Sequence, residues 1–472
     1  MPTAIAYLIP LGLYLAWPSC LWNFDGVACA AALELGNPTF FFHSNHLLYA
    51  FLGFIFWKGI GIPLGVTRAL PALQLFTNLL SALAAAGLFS ALRRLGVPVR
   101  TACLATLAIS VAAVVWVWSV EAQVYPLGLV GLAWGTAILM GDRSPTKYRW
   151  VGLCHALAVL GHVINVLWWA PVWYWMGREA AGDDDRRASR KTHALWFGMP
   201  VIAAYAAVMF VVVVPREGQA WLLTWLKGSA GLTPDRHWAW HSAGWTAPLR
   251  WGWSTLCFFW GSLWPYAAHH VAPVSWTLTA LSAATLLFCL WRSRNQRSHP
   301  AWLFSIIWIA TYGLFLWTWE PSTLCYRMTD MIPWAILIVL GVQTIPHPGP
   351  RDGILLVLAL STGFLSFLTL IRPMHDASRN ELYSETLTLA KSTPETSIYL
   401  TQGGAPWIYL LYFTGRSAWN VGTLRREINL HLDGKRPVYA QTEVLSSPTA
   451  PDWLKRRRWK ALDSNARWVE MQ

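Results

Sequence analysis

Charged side chains are scarce in this sequence of 472 residues. Asp, Glu, Lys and Arg together make up 12% of it, and 55% is hydrophobic. A soluble domain carries about 25% charged residues, so we expect an integral membrane protein. The formal net charge of +13 does not indicate a nucleic-acid partner, because the basic residues mostly lie in short loops between apolar runs, a pattern typical of membrane topology.

Sequence signals of several other classes are missing. The seven cysteines show no paired metal-ligand spacing and none follows Cys325, so neither a disulfide framework nor a zinc ribbon is expected. Walker, dinucleotide-binding and GxSxG motifs are absent, which leaves soluble nucleotide chemistry unsupported. The first apolar run lacks a basic segment before it and a small-residue cleavage site after it, which predicts a retained helix.

Eleven apolar runs are candidates for crossing a bilayer, which takes roughly 20 residues. They are 3–19, 69–92, 101–119, 123–141, 149–160, 162–177, 194–214, 272–291, 301–319, 331–346 and 354–371. The short pair 149–160 and 162–177 is either two tilted helices or one broken helix. Five basic loops fall on one side, so the positive-inside rule predicts a cytoplasmic N-terminus and an extracytoplasmic C-terminus. The expected location is the inner (cytoplasmic) membrane of a bacterium.

The first outer loop is predicted to form two helices along the membrane surface. Asp25 opens an apolar run that Gly36-Asn37-Pro38 closes, a common helix stop signal. A second aromatic run, "HLLYAFLGFIFW", ends at Lys58-Gly59. The segment 249–266 is also rich in Trp and has the same interfacial character.

The composition becomes that of a soluble domain after Arg372, so we divide the chain into a transmembrane domain, 1–371, and a small extracytoplasmic α/β domain, 372–472. "SIYLTQ" and "RPVYAQTEV" are predicted strands, whereas "APWIYLLYFTG" and "TLRREINLHLDG" are predicted helices. About 100 residues suffice for a modest core. Near its end, "DWLKRRRWK" is either a solvated basic face or a surface that docks on anionic headgroups.

Three acidic residues lie at the ends of apolar runs and, by the predicted topology, on the outer face: Asp25, Glu121 and Glu320. Carboxylates near one cavity can act as a general base or bind a metal. Two alternatives stay open: Asp25 as the N-cap of its helix, and Glu121 and Glu320 as ordinary loop charges.

Basic and imidazole side chains flank the same apolar runs. Arg68 and Arg327 can pair with a phosphate, although anchoring to lipid headgroups is an equal alternative. His43 and His46 form an H-x-x-H pair, which binds a metal only if a helix brings the two rings together. We favour the interpretation that both are polar histidines at the membrane interface.

Three stretches together resemble the GT-C superfamily of membrane glycosyltransferases, in the branch related to protein O-mannosyltransferases and their bacterial relatives. They are "FDGVACAAALELGNPTFFFHSNHLLY", "TNLLSALAAAGLFSALRRLG" and "WVWSVEAQVYPLGL", and the turn "WTWEPSTLCYRMTDMIPW" is also similar. The sequence departs from that pattern at His43-Ser44-Asn45-His46, where a Pro/Gly-rich turn is common, and near Phe76, where an arginine is often found.

The resemblance implies an inverting transfer of a sugar from a polyprenyl-phosphate donor to a hydroxyl of a glycan, lipid or protein acceptor, in contact with membrane lipids. Asp25 matches the catalytic base and Glu121 the second acidic residue. Arg68 and Arg327 are assigned to the donor phosphate. The remaining residues assigned to the lining of the site are His43, His46, Tyr125 and Glu320. The cofactor is left open, with a divalent metal as one option.

A polyprenyl-lipid flippase, another transporter or a non-enzymatic membrane scaffold is the alternative. A transporter usually places its polar residues near the bilayer midplane and shows repeat symmetry. Here the acidic residues are predicted to lie at one face and no internal repeat is evident, which favours the transferase.

Overall fold

The structure is a computed structural model of the chain. It describes residues 2–36, 41–229, 244–264, 272–421, 436–446, 452–462 and 467–472. The predicted fold class is confirmed: most of the described chain is helical, and a small sheet lies near the C-terminus. The second predicted helix of the C-terminal domain, "TLRREINLHLDG", lies outside the described residues.

Most of the described residues up to 375 lie in helices. The α-helices are Pro2–Ala16, Phe24–Leu35, Tyr49–Phe56, Ala69–Arg94, Val99–Ser110, Ala113–Ser119, Tyr125–Leu139, Lys147–Gly161, Trp169–Glu179, Asp183–Val208, Val214–Glu217, Gln219–Ser229, Ala247–Phe259, Ala272–Ser293, Pro300–Thr318, Met331–Gln343, Pro348–Ser366 and Arg372–His375. Short 3-10 helices at Val163–Trp168 and Cys325–Asp330 matter for the site described below.

Within the described residues, six helices are long and apolar enough to cross a membrane. A seventh span results if the helices Val99–Ser110 and Ala113–Ser119, bent by 72° at their junction, cross together. The six are Ala69–Arg94, Asp183–Arg216, Pro273–Gln296, Pro300–Thr318, Cys325–Gln343 and Pro348–His375. The chain is therefore a multi-pass membrane protein. Shorter helices cover the other predicted spans, and the predicted count of eleven stays a prediction.

The chain divides into two compact units. The first comprises 1–19, 37–67 and 71–375, and the second comprises 20–36, 68–70 and 376–472. The second unit thus combines the C-terminal domain with the helix Phe24–Leu35 and the short segment around Arg68. The division into two domains at residue 372, which was drawn from composition, stays a prediction.

The second unit is built around a five-stranded sheet in the order β2-β1-β3-β5-β4. The strands are β1 Ile398–Thr401, β2 Ser417–Asn420, β3 Val438–Gln441, β4 Trp459–Ala461 and β5 Trp468–Met471. β1 pairs in parallel with β2 and β3, with Ile398 opposite Ser417 and Val438. β5 runs antiparallel to both β3 and β4. The predicted strands at 398–401 and 438–441 are confirmed.

Both faces of this sheet are covered, because strand residues alternate between two hydrophobic clusters. Tyr399 packs with Leu389 and Leu410, which come from the helices Glu381–Ser392 and Gly404–Thr414. Ile398 and Leu400 pack on the opposite face. Residues of the short helices Thr442–Ser446 and Asp452–Lys455 complete that second cluster.

Both helices predicted to lie along the membrane surface are present with altered ends, and their position at the surface stays a prediction. The first, Phe24–Leu35, stops at Gly36, which takes a left-handed conformation with φ of 66°, as the Gly-Asn-Pro signal predicts. The second is shorter at its start than predicted, since it begins at Tyr49. It continues past Lys58 as a π-helical and then a 3-10 turn to Leu64. The first helix belongs to the second unit and the other to the first unit.

Candidate functional site

The predicted site residues fall into both units, which are described separately. Asp25 and Arg68 belong to the second unit. The first unit contains the others, His43, His46, Glu121, Tyr125, Glu320 and Arg327. Their predicted roles stay predictions, but the structure gives the local environment of each.

Glu121 lies in the turn between the helices Ala113–Ser119 and Tyr125–Leu139 and is only 1% exposed. Three polar residues of the helix Ala69–Arg94 hold this turn. Gln74 Nε2 donates to the Val120 carbonyl at 3.3 Å, and Asn78 Nδ2 donates to the Ser119 carbonyl at 2.8 Å. Thr77 Oγ1 accepts a bond from the Gln123 backbone N–H at 3.2 Å.

Sequence reasoning did not single out these three polar residues. Gln74, Thr77 and Asn78 follow the i, i+3, i+4 spacing that places side chains on one helix face. A polar face inside an apolar span was therefore a signal available in the sequence. The consequence in the structure is a fixed backbone on both sides of Glu121.

The helix Lys147–Gly161 ends at His162, where the backbone is extended, and the 3-10 helix Val163–Trp168 and the helix Trp169–Glu179 follow. We call this point the helix break, and how the short pair 149–160 and 162–177 crosses the membrane stays a prediction. The segment 45–48 supplies the missing hydrogen bonds: Val163 N–H donates to the Asn45 carbonyl at 2.8 Å, and Leu48 N–H donates to the Leu160 carbonyl at 3.0 Å. Non-helical backbone at membrane depth needs such partners within the protein.

These two backbone bonds bring the predicted histidines close to the helix break. His46 lies 6.5 Å from His162 between ring centroids, and His43 stacks on His46 at 4.4 Å with an interplanar angle of 10°. In this arrangement the two imidazoles of the H-x-x-H pair contact each other by their faces. In the described part of the chain, no group of three or more His, Cys, Asp or Glu side chains is placed to hold a metal ion.

Three rings next to this break form what we call the aromatic cluster: Tyr125, His162 and Tyr326. Tyr125 stacks on His162 with centroids 4.9 Å apart, and Tyr326 meets both rings edge-on at 5.6 and 5.8 Å. The Cys325 thiol donates to the Tyr125 hydroxyl oxygen at 3.2 Å. The cluster joins the break to the 3-10 helix Cys325–Asp330, whereas the sequence had indicated only Tyr125.

Glu320 lies in the turn before that 3-10 helix. Its carboxylate accepts a hydrogen bond of 2.6 Å from the Thr323 hydroxyl, and the neighbouring Trp319 Nε1 donates to the Tyr326 hydroxyl at 3.3 Å. Glu320 therefore shapes the turn that carries Tyr326 and Arg327.

Arg327 is 1% exposed and has only part of its guanidinium paired. Its Nη2 lies 2.8 Å from Asp330 Oδ2 and also donates to the Thr255 hydroxyl, while the Trp251 ring lies 5.1 Å from the guanidinium carbon. Nε and Nη1 have no hydrogen-bond partner among the described residues. Unmet donors on a buried cation are costly, so this arginine suits an anionic ligand.

Asp25 lies in the first turn of Phe24–Leu35 and is exposed. The alternative that Asp25 is the N-cap is wrong. Asn23 holds that position, and its side-chain oxygen accepts from the Gly26 N–H at 3.0 Å. The helix N-terminus favours a negative charge at Asp25. One turn later, burial and the charge of Asp25 raise the pKa of Cys29 to about 12.

Glu34, at the other end of the same helix, is the centre of what we call the Glu34 network. Its Oε1 accepts from Arg68 Nε at 3.0 Å, from the Ala69 N–H at 2.7 Å and from the Tyr412 hydroxyl at 3.0 Å. Arg68 also donates to the Tyr412 carbonyl at 2.9 Å. Burial raises the pKa of Tyr412 above its usual value, and the charge of Glu34 adds to that effect.

The Glu34 network bears on the predicted role of Arg68. Its guanidinium lies over the Tyr412 ring at 4.3 Å and contacts both oxygens of Glu34 at 3.0 Å. A phosphate at Arg68 therefore has to share or displace a carboxylate already in place. Glu34 was assigned no role from the sequence.

Comparison with known proteins gives no family-model match and no curated protein similar in sequence. Solved structures do match. ArnT from Cupriavidus metallidurans in the apo state has a TM-score of 0.62 at 12% identity, over 99% of this chain and 97% of that one. ArnT bound to undecaprenyl phosphate has a TM-score of 0.60 at 11% identity, over 99% and 96%. The protein has the GT-C fold.

The predicted superfamily resemblance is thereby confirmed at the level of the fold, along nearly the whole length of both chains. A weaker likeness, with a TM-score of 0.46 at 14% identity, is to the Archaeoglobus fulgidus oligosaccharyltransferase in complex with Zn and sulfate. At that score the likeness adds nothing to the fold assignment.

Proposed function

We propose that the protein is a GT-C glycosyltransferase that moves a sugar from a polyprenyl-phosphate donor to an acceptor hydroxyl, with inversion at the anomeric carbon. The observation that carries the proposal is the fully buried Arg327, whose Nε and Nη1 have no hydrogen-bond partner among the described residues. The fold agrees, since ArnT with this fold has been crystallised with undecaprenyl phosphate.

In the proposed reaction a carboxylate removes the proton from the acceptor hydroxyl. The acceptor oxygen then bonds to the anomeric carbon, and the bond from that carbon to the phosphate oxygen breaks. Polyprenyl phosphate leaves with the electron pair. Because the leaving group is already an anion, cationic stabilisation is the main electrostatic requirement, and Arg327 is assigned that role.

Asp25 is the proposed base. Its side chain is exposed, and the N-cap of its helix is Asn23 and not Asp25. Glu121 is the proposed second acidic residue. Unlike Asp25, it is buried, and Gln74 and Asn78 fix the turn around it. His43, His46 and Glu320 are proposed to line the site with the aromatic cluster.

The orientation and partners are proposed with the function. The positive-inside distribution supports a cytoplasmic N-terminus and an extracytoplasmic C-terminus in a bacterial inner membrane. The proposed partners are the lipid-linked sugar donor, a glycan, lipid or protein acceptor, and membrane lipids. Among the described residues, no three His, Cys, Asp or Glu side chains are placed to bind a divalent metal together.

The test is Asp25→Asn in purified protein reconstituted in nanodiscs. Release of undecaprenyl phosphate from a panel of undecaprenyl-phosphate-linked sugars is followed in the presence of membrane-extract acceptors. We expect turnover to fall by about 10²- to 10⁴-fold, with binding of undecaprenyl phosphate and thermal stability unchanged, because the amide is not a base.

The matched control is Asp184→Asn, which alters another exposed aspartate in the first turn of a helix. It should keep full turnover. Wild-type turnover by Asp25→Asn would show that Asp25 is not the base. The proposed function itself would be contradicted if the wild-type protein neither bound undecaprenyl phosphate nor released it from any donor.

A further inference from the structure

Two histidines, one inside the helix Lys147–Gly161 and one at the helix break, have opposite environments. His155 is 0% exposed, and both of its ring nitrogens are engaged: Nδ1 lies 3.2 Å from His193 Nε2, and Nε2 lies 3.0 Å from the Asn165 carbonyl oxygen. His155 is thus a satisfied core histidine. His162 keeps 6% exposure, and no described residue forms a hydrogen bond with its Nε2.

The local backbone fixes which nitrogen of His162 carries the proton. Nδ1 accepts a hydrogen bond from the Ile164 N–H at 3.3 Å, as a cap for the 3-10 helix Val163–Trp168. A neutral imidazole that accepts through Nδ1 has its hydrogen on Nε2. The ring therefore offers one N–H donor, at the atom that no described residue uses.

The surroundings of that donor are aromatic. Tyr125 stacks on the His162 ring at 4.9 Å, and Tyr326 lies edge-on at 5.8 Å. Ligand sites combine apolar and aromatic walls with a few placed polar groups, and a neutral donor between rings suits a sugar, which has apolar C–H faces and hydroxyl oxygens. A phosphate prefers a cation, which Arg327 offers.

We propose that His162 binds the sugar of the lipid-linked donor, with its Nε2–H donating to a hydroxyl oxygen of that sugar. His162 is then a residue that determines which sugar is accepted, distinct from the residues that hold the phosphate. This inference rests on the proposed function, because it requires a sugar-bearing donor to reach the aromatic cluster.

His162→Asn separates the two roles of the ring. The Asn side-chain oxygen can replace Nδ1 as the acceptor for the Ile164 N–H, since Asn is a good cap, but it has no atom at the position of Nε2. His162→Gln is the complementary variant, because its longer amide reaches toward the Nε2 position and can donate there. His155→Asn is the control for damage to the core.

The experiment measures binding of two probes to the full chain in nanodiscs: undecaprenyl phosphate alone, and the undecaprenyl-phosphate-linked sugar that the wild-type protein turns over fastest. For His162→Asn we expect unchanged affinity for undecaprenyl phosphate and about tenfold weaker affinity for the sugar-linked probe, the size of one lost hydrogen bond. His162→Gln should recover part of the loss. His155→Asn should lower the melting temperature and affect both probes alike.

Two results would overturn the assignment of His162. Equal weakening of both probes by His162→Asn would place its contact on the phosphate or the lipid, and no weakening of either would leave it as a cap alone. Failure of the wild-type protein to bind either probe is a separate result, since it overturns the proposed function before His162 is altered.

Discussion

Arg68 and Arg327 were both predicted from the sequence to bind the donor phosphate, and the structure places them in contrasting environments. Arg68, in the second unit, has a side chain 48% exposed, and its guanidinium contacts both oxygens of Glu34 and the Tyr412 carbonyl. Arg327, in the first unit, is 1% exposed, pairs with Asp330 through one nitrogen and leaves Nε and Nη1 without described partners.

The contrast separates a structural ion pair from a candidate ligand site. The Glu34 network satisfies its own charges, so it needs nothing from outside the unit. A buried cation with unmet donors is an expensive arrangement to keep, and such groups in a membrane protein are commonly functional. Exposure alone would have ranked the two arginines the other way.

Between the two arginines, the larger expected effect is at Arg327. Arg327→Gln should lower turnover by about 10²- to 10³-fold and weaken binding of undecaprenyl phosphate, because the leaving phosphate loses its cation. The variant also leaves Asp330 as an unpaired buried carboxylate, which costs about 3–5 kcal/mol and threatens folding. Turnover and melting temperature are therefore measured together.

The double variant Arg327→Gln/Asp330→Asn resolves that ambiguity. It removes both charges of the pair, so the melting temperature should recover while turnover stays low. Recovery of turnover along with stability would show that Arg327 and Asp330 are only a structural pair, and the difference between the two arginines would then lose its functional meaning.

A smaller effect is expected from the Glu34 network. Glu34→Gln removes a carboxylate that accepts from Arg68, Ala69 and Tyr412, and should cost about 1–2 kcal/mol locally, given that Arg68 is half-exposed. Backbone amides of the helix Phe24–Leu35 should then exchange about tenfold faster, which hydrogen-exchange mass spectrometry measures.

Turnover should fall less than tenfold in Glu34→Gln. The Asp25 end of the same helix has separate contacts in the second unit, since Asn380 donates to the Cys20 carbonyl at 2.9 Å and the Tyr409 hydroxyl donates to the Trp22 carbonyl. Arg68→Lys, which keeps the charge but loses the paired geometry, is the matched control and should give an intermediate exchange rate. If the backbone amides of Phe24–Leu35 exchanged at the wild-type rate in Glu34→Gln, the Glu34 network would not stabilise this helix.

The sequence predicted the helical membrane class, the two helices that follow the first apolar run and two strands, because each rests on a local signal. Apolar length gives the spans, Gly36 gives a helix end, and the runs "SIYLTQ" and "RPVYAQTEV" give β1 and β3. The strands β2, β4 and β5 were not predicted, because β2 and β5 are defined by pairing with β1 and β3 and β4 has only three residues. His162 was missed for a different reason. Its environment depends on backbone bonds to residues 45 and 48, more than 100 positions earlier in the chain.

The smallest expected effect concerns the basic segment 455–460 of the second unit. Its five cations, Lys455, Arg456, Arg457, Arg458 and Lys460, are all exposed. Trp459 does not join them as a surface anchor, because it packs against the core cluster and its Nε1 donates to the Leu454 carbonyl at 3.1 Å. Trp459 therefore adds no anchor, and the attraction expected from the five cations is electrostatic, worth about 1 kcal/mol per cation close to an anionic surface and screened by salt.

Neutralising Arg456, Arg457 and Arg458 to Gln tests this docking in the full chain. In nanodiscs with anionic lipids, amides of the edge strand β4 should exchange a few-fold faster in the triple variant than in the wild type. The difference should vanish in zwitterionic nanodiscs and at 0.5 M salt, since both remove the attraction. Equal exchange in anionic nanodiscs at low salt would identify the segment as a solvated face. The basic segment would then be like Arg68 in the same unit: its charges would serve the fold or the solubility of the unit and would bind no anionic ligand.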